Sequence, residues 1–196
     1  MCSSDLREFE MKDMALLHYF LGLEIWQRDG EIFFSQGKYA KEILGKFHME
    51  SCKPMETPLV GNWRKEDATS GEVVDDIFYT HLVGSLMYLV NTRPDICYVF
   101  NQLSQVMVKL TKIFWKAGNH VLRYIRGTTK YGLWNKRTEG VKLKGFTDAD
   151  WVGSPSDMKS TSGGIFNIGS TTISWYNRKQ RSVAPSSAEA KYMAAS

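Results

Sequence analysis

The sequence has little cysteine, and its cysteines form no pattern that would give them a chemical role. The 196 residues include three cysteines, Cys2, Cys52 and Cys97, which lie far apart and form no Cys-x-x-Cys pair. The four histidines also fall at no zinc-ligand spacing. These absences exclude a zinc motif and a disulfide framework, and they indicate idle or buried thiols in a reducing compartment.

Long hydrophobic runs are missing too. The longest nearly uncharged apolar run, residues 82–90, is far shorter than the roughly 20 residues that cross a bilayer. The first residues, MCSSD, lack the basic and then apolar order of a secretory leader. We therefore expect an intracellular protein without a membrane-spanning segment.

The common signatures of nucleophilic catalysis and of nucleotide binding are absent. The sequence contains no Gly-x-Ser-x-Gly elbow and no glycine-rich phosphate loop. The stretch STSGG at residues 160–164 is typical of a flexible polar turn. A serine hydrolase and a nucleotide-binding fold of the usual types are therefore not indicated.

Acidic residues are nearly absent from the middle of the chain. Residues 77–135 carry 7 Lys and Arg against 1 Asp, whereas residues 1–76 carry 9 against 15 acids and residues 136–196 carry 9 against 5. The net charge of +4 is therefore the sum of an acidic first segment and two basic segments that follow it. A polyanionic partner is expected to meet the second and third of these segments.

Hydrophobic periodicity predicts a mixed α+β fold. The third segment predicts an antiparallel sheet of three strands followed by a helix, with a serine of the Pro185-Ser186-Ser187 run as its N-cap. The predicted order is a helix over 5–13, a strand over 17–25, a turn at Asp29-Gly30, a strand over 32–35, a helix over 36–47, an exposed linker over 60–76, helices over 79–90, 96–108 and 112–126, and strands over 141–147, 163–168 and 171–175. A hairpin turn at Gly169-Ser170 is predicted between the last two strands.

Basic residues form a stripe on the predicted helix at 112–126 and just before it. Lysines and arginines recur there at helical spacing, with apolar residues on the other side of the helix. Such a stripe can follow a phosphate backbone, although most charged helix faces are only solvated. The residues of this stripe, called the basic stripe below, are Lys109, Lys112, Lys116, Arg123 and Arg126.

Two carboxylates stand near the end of the first predicted strand of the third segment. In the stretch GFTDADWVGS, Asp148 and Asp150 are two residues apart, so both are expected on one sheet face. Paired carboxylates can bind Mg²⁺, but they also form turns at strand ends. Two-metal chemistry on phosphodiesters needs further converging acids, and Glu189 is the next that the chain offers.

A series of sequence blocks resembles copia-type retrotransposon Pol polyproteins along nearly the whole chain. The blocks occur in the order and at the spacing of that family, which makes the resemblance more specific than any single motif. They are FEMKDMALLHYFLGLEI, SQGKYAKEIL, CKPMETPL, LVGSLMYLVNTRPDI, WKAGNHVLRYIRGTTKYGL, FTDADWVGS, KSTSGGIFNIGSTTISW and KQRSVAPSSAEAKYMAAS.

The resemblance implies a domain order and a parent activity. Residues 1–59 would be the end of a reverse-transcriptase palm and the start of the thumb. Residues 60–135 would be a linker and the helical thumb and connection region, and residues 136–196 a truncated ribonuclease H-like domain. The parent family copies RNA into DNA and degrades the RNA of RNA–DNA hybrids with Mg²⁺. Implied partners are RNA–DNA hybrid or other nucleic acid, and the rest of the Pol polyprotein.

The resemblance also implies which site residues remain. The family's polymerase aspartates lie in a Tyr-x-Asp-Asp turn upstream of the residues that match position 1, and this sequence contains no such turn. Asp148 matches the first ribonuclease H carboxylate, which is a catalytic and metal-binding position. Lys191 stands where the family has its catalytic glutamate, and two further acids would follow Ser196. Glu189 precedes Lys191 by two residues, which is a rotation of about 200° on a helix.

Three functional hypotheses follow. The first is a Pol fragment that lacks both parent activities and binds no Mg²⁺ productively. The second is a non-catalytic nucleic-acid-binding module that uses the basic stripe at 109–126. The third is an active nuclease in which Glu189 replaces the missing ligand by a shift of register. The first also predicts an incomplete third domain with exposed apolar sheet surface.

Overall fold

A computed structural model describes residues 16–61, 63, 76–105, 112–151 and 158–196. The predicted helix over residues 5–13 and most of the predicted linker lie outside these ranges. Within them the chain has the predicted α+β fold, with two antiparallel sheets and a group of helices. None of the described helices combines the length and the apolar character needed to cross a bilayer.

The first sheet joins strands from two distant parts of the chain. Its strand order is β1-β2-β3-β4, and every neighbouring pair is antiparallel. The turn at Asp29-Gly30 and the return strand were predicted correctly, whereas β4 was not predicted. The strands are β1 (Tyr19–Phe20), β2 (Leu23–Arg28), β3 (Glu31–Ser35) and β4 (Gly132–Lys136).

The single strand predicted over residues 17–25 is wrong, because the chain reverses at Leu21 and Gly22. Both residues have positive φ, 47° and 76°, and β1 pairs with β2 through Phe20 opposite Leu23. Two consecutive positive φ angles are typical of a two-residue hairpin turn. The Tyr88 hydroxyl donates a hydrogen bond to the Leu21 carbonyl and so holds this turn against a helix.

Four helices form the main hydrophobic core. The core continues across the predicted boundary between residues 59 and 60, because side chains from both sides of it are buried together. Its largest fully buried side chains include Leu44, Tyr79, Leu103 and Leu122. The helices are α1 (Gly37–Lys46), α2 (Asp76–Leu89), α3 (Cys97–Ser104) and α4 (Lys112–Gly127), which correspond to the four helices predicted at 36–47, 79–90, 96–108 and 112–126.

The second sheet and its helix follow the predicted order of three strands and then a helix. The strand order is β5-β6-β7, and the predicted turn at Gly169-Ser170 joins β6 to β7. The predicted N-cap is confirmed, since the Ser186 hydroxyl accepts a hydrogen bond from the Glu189 amide. The elements are β5 (Leu143–Asp150), β6 (Thr161–Ile168), β7 (Thr171–Lys179) and α5 (Ser187–Ala195).

Exposed apolar side chains lie on β5, as predicted for this sheet. Leu143 and Phe146 are both exposed, and Val141 just before the strand is 82% exposed. At the opposite edge of the sheet, the Trp175 indole on β7 donates to the Val90 carbonyl at 3.1 Å. The second sheet therefore contacts the helical core through β7, whereas β5 contacts α5 and keeps these apolar side chains exposed.

Candidate functional site

Whether Asp148 lies near α5 depends on which face of the second sheet carries its side chain. Side chains alternate between the two faces of a strand, so Asp148 and Asp150 share one face and Thr147 lies on the other. The cross-strand register puts Asp148 opposite Gly163 and Thr147 opposite Gly164. The two aspartates therefore occupy the same face, as the sequence predicted.

Helix α5 covers the face that carries Thr147. Gly164 lies opposite Thr147 on one side and Tyr176 on the other, and the Tyr176 hydroxyl donates to the Ala194 carbonyl of α5 at 3.1 Å. The Gln180 amide reaches the Ala190 carbonyl at 2.8 Å. Ala190 and Ala194 are the buried residues of the helix.

Asp148 consequently points away from α5. Its side chain is exposed, and one carboxylate oxygen accepts a hydrogen bond from the amide of Ala149 at 2.8 Å. Asp150, which is also exposed, is opposite the buried Thr161. The neighbourhood of Asp148 on this face is therefore built by β-strand residues rather than by the helix that the family resemblance associates with it.

Glu189 and Lys191 flank the buried side of α5. Each is one residue from Ala190, which places the two side chains about 100° to either side of the helix face that meets the sheet. Both are exposed. The structure brings neither of them together with Asp148, because the sheet itself lies between the helix and the aspartate face.

The described residues do not assemble the ligand set of a two-metal site. Among residues 16–61, 63, 76–105, 112–151 and 158–196, no three His, Cys, Asp or Glu side chains are grouped so that they could hold a metal ion. Two Mg²⁺ ions about 3.5–4 Å apart need several converging carboxylates. Asp148 and Asp150 alone do not fit that requirement.

The described cysteines have the features of structural thiols. Cys52 and Cys97 are free and half-buried. Burial raises the pKa of the Cys97 thiol, and a hydrogen bond from the backbone at Asn177 opposes that rise only in part. A raised pKa disfavours the thiolate, which is the nucleophilic and metal-binding form.

The basic stripe lies on one face of α4 over the described part of its length. Because residues advance by about 100° each along a helix, positions 112, 116, 123 and 126 fall within about 80° of one another. Lys112 and Lys116 are exposed, and Lys109 lies outside the described residues. The structure thus brings together four of the five predicted residues.

The two arginines of the stripe are engaged with the chain itself. Arg123 Nε donates to the Lys53 carbonyl at 2.8 Å, and Arg126 Nε donates to the Glu50 carbonyl at 2.5 Å. The Met55 amide returns a hydrogen bond to the Arg123 carbonyl. This half of the stripe therefore holds the segment after α1 against α4, which reduces the number of cations that are turned only to solvent.

A groove on the first sheet escaped the sequence prediction. Trp26, Phe33 and Trp134 lie side by side on three neighbouring strands, on a face bordered by residues of α1. The groove has a volume of about 740 Å³. The two-residue turn at Asp29-Gly30 already implies that Trp26 faces Phe33, but the sequence carries no signal that β4 joins them.

The known proteins that this chain resembles include transposon-encoded Pol polyproteins. A profile of the family described as "Reverse transcriptase (RNA-dependent DNA polymerase)" matches residues 4–61. The chain is 38% identical over 186 residues to the retrovirus-related Pol polyprotein from transposon RE2 of Arabidopsis thaliana, covering 95% of this chain and 13% of that protein. It is 35% identical over 198 residues to the corresponding polyprotein from transposon TNT 1-94 of Nicotiana tabacum, covering 96% of this chain and 15% of that one.

A shorter relative is covered over most of its length. The chain is 38% identical over 186 residues to an uncharacterized mitochondrial protein of Arabidopsis thaliana, covering 95% of this chain and 77% of the relative. Against the two Pol polyproteins, by contrast, the chain spans about one seventh of their length. No solved structure matches it significantly.

Proposed function

Because this chain belongs to the copia-type retrotransposon Pol polyprotein family, we propose that it forms the end of a reverse-transcriptase palm, the thumb and connection helices and the first part of a ribonuclease H domain. The reverse-transcriptase profile spans residues 4–61, which contain the hairpins β1-β2 and β2-β3 and helix α1. That match supports the palm assignment. The helical core built by α1 together with α2, α3 and α4 supports a thumb that begins directly after the palm strands.

The parent activity of such a polyprotein is to copy RNA into DNA and to degrade the RNA of the resulting hybrid with Mg²⁺. We assign neither reaction to these 196 residues acting alone. The observation that carries this proposal is the position of Asp148, which projects from the sheet face opposite α5. Productive hybrid cleavage would need Asp148 and a helix carboxylate around the same ions.

Lys191 is a second reason to propose an inactive ribonuclease H region. It occupies the position that resembles the family's helix glutamate, and an ammonium repels Mg²⁺ where a carboxylate would bind it. Glu189 points to the other side of α5, so a shift of register on this helix does not replace the missing ligand. The hypothesis of an active nuclease built on Glu189 is therefore not favoured.

The binding module based on the basic stripe is also less well supported. The Nε atoms of Arg123 and Arg126 donate hydrogen bonds to backbone carbonyls of the segment after α1. Lys112 and Lys116 are exposed, and Lys109 lies outside the described residues. With two of its five basic residues donating to the chain itself, the stripe offers fewer donors to a phosphate backbone than the sequence suggested.

The proposal is tested by two assays on the purified full chain with Mg²⁺. One follows cleavage of labelled RNA in an RNA–DNA hybrid, and the other follows extension of a primed RNA template. We expect no product in either assay while circular dichroism reports a folded protein. Hybrid cleavage that disappears in Asp148→Asn would show instead that the chain carries its own nuclease centre.

A further inference from the structure

Strand β5 forms one edge of the second sheet. The strand order is β5-β6-β7, and β7 at the other edge contacts α3 and β4. Among residues 16–61, 63, 76–105, 112–151 and 158–196, no strand pairs with the outer edge of β5. An edge of this kind carries a row of amides and carbonyls that can pair with another strand.

Every second residue of β5 turns its backbone groups outward. The Gly169 amide donates to the Lys142 carbonyl at 2.9 Å, so the backbone of residue 142 faces β6. Because the hydrogen-bonding direction alternates along an antiparallel strand, the even-numbered residues face β6 and the odd-numbered residues from 143 to 149 face outward. The outward-facing amide of Ala149 donates to the carboxylate of its neighbour Asp148 at 2.8 Å.

The side chains on one face of β5 follow a self-complementary order. Lys142, Lys144, Phe146, Asp148 and Asp150 occur at every second position, so they share the sheet face away from α5. All of them are exposed. The cations precede Phe146 and the anions follow it at equal spacing, so an antiparallel copy of the strand presents the opposite charge at each position.

We propose that β5 pairs edge to edge with β5 of a second copy of this chain, antiparallel and with the two Phe146 residues opposite each other. In this register, Lys144 lies opposite Asp148 of the second copy, and Lys142 lies opposite Asp150 of the second copy. Each pair forms twice, because a two-fold axis relates the copies. The two three-stranded sheets then form one continuous antiparallel sheet. This goes beyond the proposed function, because it concerns neither polymerisation nor hybrid cleavage.

The backbone and the charges select the same register. Gly145 lies opposite Thr147 of the second copy, so outward-facing backbone groups meet one another. Phe146 and the charged residues then occupy non-hydrogen-bonded positions, where opposing side chains lie closest. A shift by two residues in either direction puts Phe146 opposite Lys144 or opposite Asp148 of the second copy. It also leaves one lysine of each copy without an opposing acid.

The charged residues of this face are not paired elsewhere in the part of the chain that the structure describes. Neither Lys142 nor Lys144 forms an ion pair there. Lysines on an edge strand normally oppose pairing with another chain. Here the aspartates of a second copy would compensate them, and Phe146, which is 56% exposed, would lose its contact with water.

Helix α5 leaves room for the second copy. It is held by the hydrogen bonds of Tyr176 and Gln180, which lie across the sheet from the half of β5 between Thr147 and Asp150. In the proposed register, that half lies opposite residues 142–145 of the second copy. The two α5 helices therefore lie over opposite halves of the paired strands.

The first test follows the mass of the purified full chain by sedimentation equilibrium from about 1 to 200 μM, the range of weak interfaces. We expect a concentration-dependent species with the mass of two chains. Lys144→Glu makes two attractive pairs repulsive and should weaken association at least about tenfold. Lys41→Glu, the same change at an exposed lysine of α1, should leave association unchanged. A chain that stays monomeric or forms larger assemblies overturns the proposal, as do equal effects of the two variants.

A charge exchange tests the register. Lys144→Glu combined with Asp148→Lys restores opposite charges only if residue 144 lies opposite residue 148 of the second copy. Within one chain these residues are four positions apart on an extended strand, about 13 Å, which is too far for a direct ion pair. The double variant should recover the affinity that Lys144→Glu loses. A double variant that is folded by circular dichroism but does not recover overturns the proposal.

A proline distinguishes pairing through the strand edge from association through another surface. Thr147→Pro removes an outward-facing amide and leaves the hydrogen bonds between β5 and β6 in place. It should abolish the dimer, whereas Thr147→Val keeps the amide and should still dimerise. Equal association of two folded variants overturns the proposal, and if Thr147→Pro does not fold, the charge exchange decides. These assays contain neither nucleic acid nor Mg²⁺, so their outcome is independent of the proposed Pol assignment.

Discussion

Arg93 and Asp95 form a bidentate ion pair at the turn between α2 and α3. Arg93 Nε lies 2.9 Å from one carboxylate oxygen of Asp95, and a terminal guanidinium nitrogen lies 2.7 Å from the other. The guanidinium also donates to the carbonyl and the hydroxyl of Thr128, just after α4. Arg93 is 2% exposed. One buried side chain therefore joins the turn to the end of α4.

Replacement of Arg93 is expected to cost far more than replacement of an exposed arginine. Arg93→Met removes the charge that compensates Asp95 and one of the two donors to the Thr128 carbonyl, the other being the Tyr131 amide. Because the Asp95 side chain is 30% exposed, the free energy of unfolding should fall by about 2–3 kcal/mol, less than for a fully buried pair. Arg181→Met, at an exposed position, should stay within about 0.5 kcal/mol. Urea denaturation followed by circular dichroism measures both, and equal effects would contradict the role given to Arg93.

Tyr124 should make the fold sensitive to alkaline pH. Burial, with a hydrogen bond to Asp95 as a smaller cause, raises the pKa of Tyr124 to about 12 from its ordinary 10. The folded state therefore keeps a proton that the unfolded state has lost. The resulting stability is fully present below pH 10 and is lost as the pH rises from 10 to 12.

The variant Tyr124→Phe isolates this contribution from that of other residues. Tyr79 also has a raised pKa because of burial, so the loss of stability above pH 10 should become shallower rather than disappear. Urea titrations at several pH values from 8 to about 11.5 measure the slope. An unchanged slope in Tyr124→Phe would mean that the hydroxyl titrates alike in the folded and unfolded states.

Two glycines should respond to alanine with opposite signs. Gly22 has a φ of 76°, and a Cβ there would lie 2.5 Å from the Tyr88 hydroxyl. Gly22→Ala should therefore lower the free energy of unfolding by at least about 1–2 kcal/mol. Gly84 lies within α2 with no atom near its missing Cβ. Gly84→Ala should raise stability by about 0.5–1 kcal/mol. Thermal unfolding of the pair checks the sign of each effect.

The N-cap of α5 should contribute measurably to the stability of the second sheet. Ser186→Ala removes the acceptor for the Glu189 amide, which is 3.2 Å from the hydroxyl, and should cost about 1 kcal/mol. Its neighbour Ser187 is the first residue of the helix and is exposed. Ser187→Ala should be nearly neutral. Hydrogen exchange of the α5 amides would locate the effect, and faster exchange in both variants alike would contradict it.

Local patterns in the sequence predicted most of the elements correctly. Helix α4 was found because its apolar residues recur at helical spacing up to Gly127, and the turns at Gly30 and Gly169 follow directly from glycine in a tight hairpin. The reversal at Leu21 and Gly22 was missed because Leu17, Tyr19, Leu21, Leu23 and Ile25 alternate without interruption, so the pattern contains no sign of a break.

Long-range relationships account for what the sequence could not supply. Strand β4 was missed because its partner β3 lies about one hundred residues earlier in the chain, and only that pairing places Trp134 opposite Phe33. The basic stripe was placed on the correct helix face. Its arginines, however, donate to the backbone carbonyls of residues 50 and 53. The sequence could not predict these hydrogen bonds, because every residue has a backbone carbonyl.

The sequence also could not predict which face of the second sheet α5 covers. Alternation on β5 shows that Asp148 and Asp150 share a face, but it does not tell which face α5 covers. That information comes from the hydrogen bonds of Tyr176 and Gln180 to α5. Spacing along the sequence therefore identified the aspartates without revealing that they point away from Lys191.

The most direct measurement is Mg²⁺-dependent cleavage of an RNA–DNA hybrid by the variant Lys191→Glu. This change returns the family-like carboxylate to α5 without touching Asp148. If Asp148 lies on the opposite face of the sheet, the variant should cleave no more hybrid than the unchanged chain does. Cleavage that appears in Lys191→Glu and disappears when Asp148→Asn is added would contradict the placement of Asp148 on the sheet face away from α5.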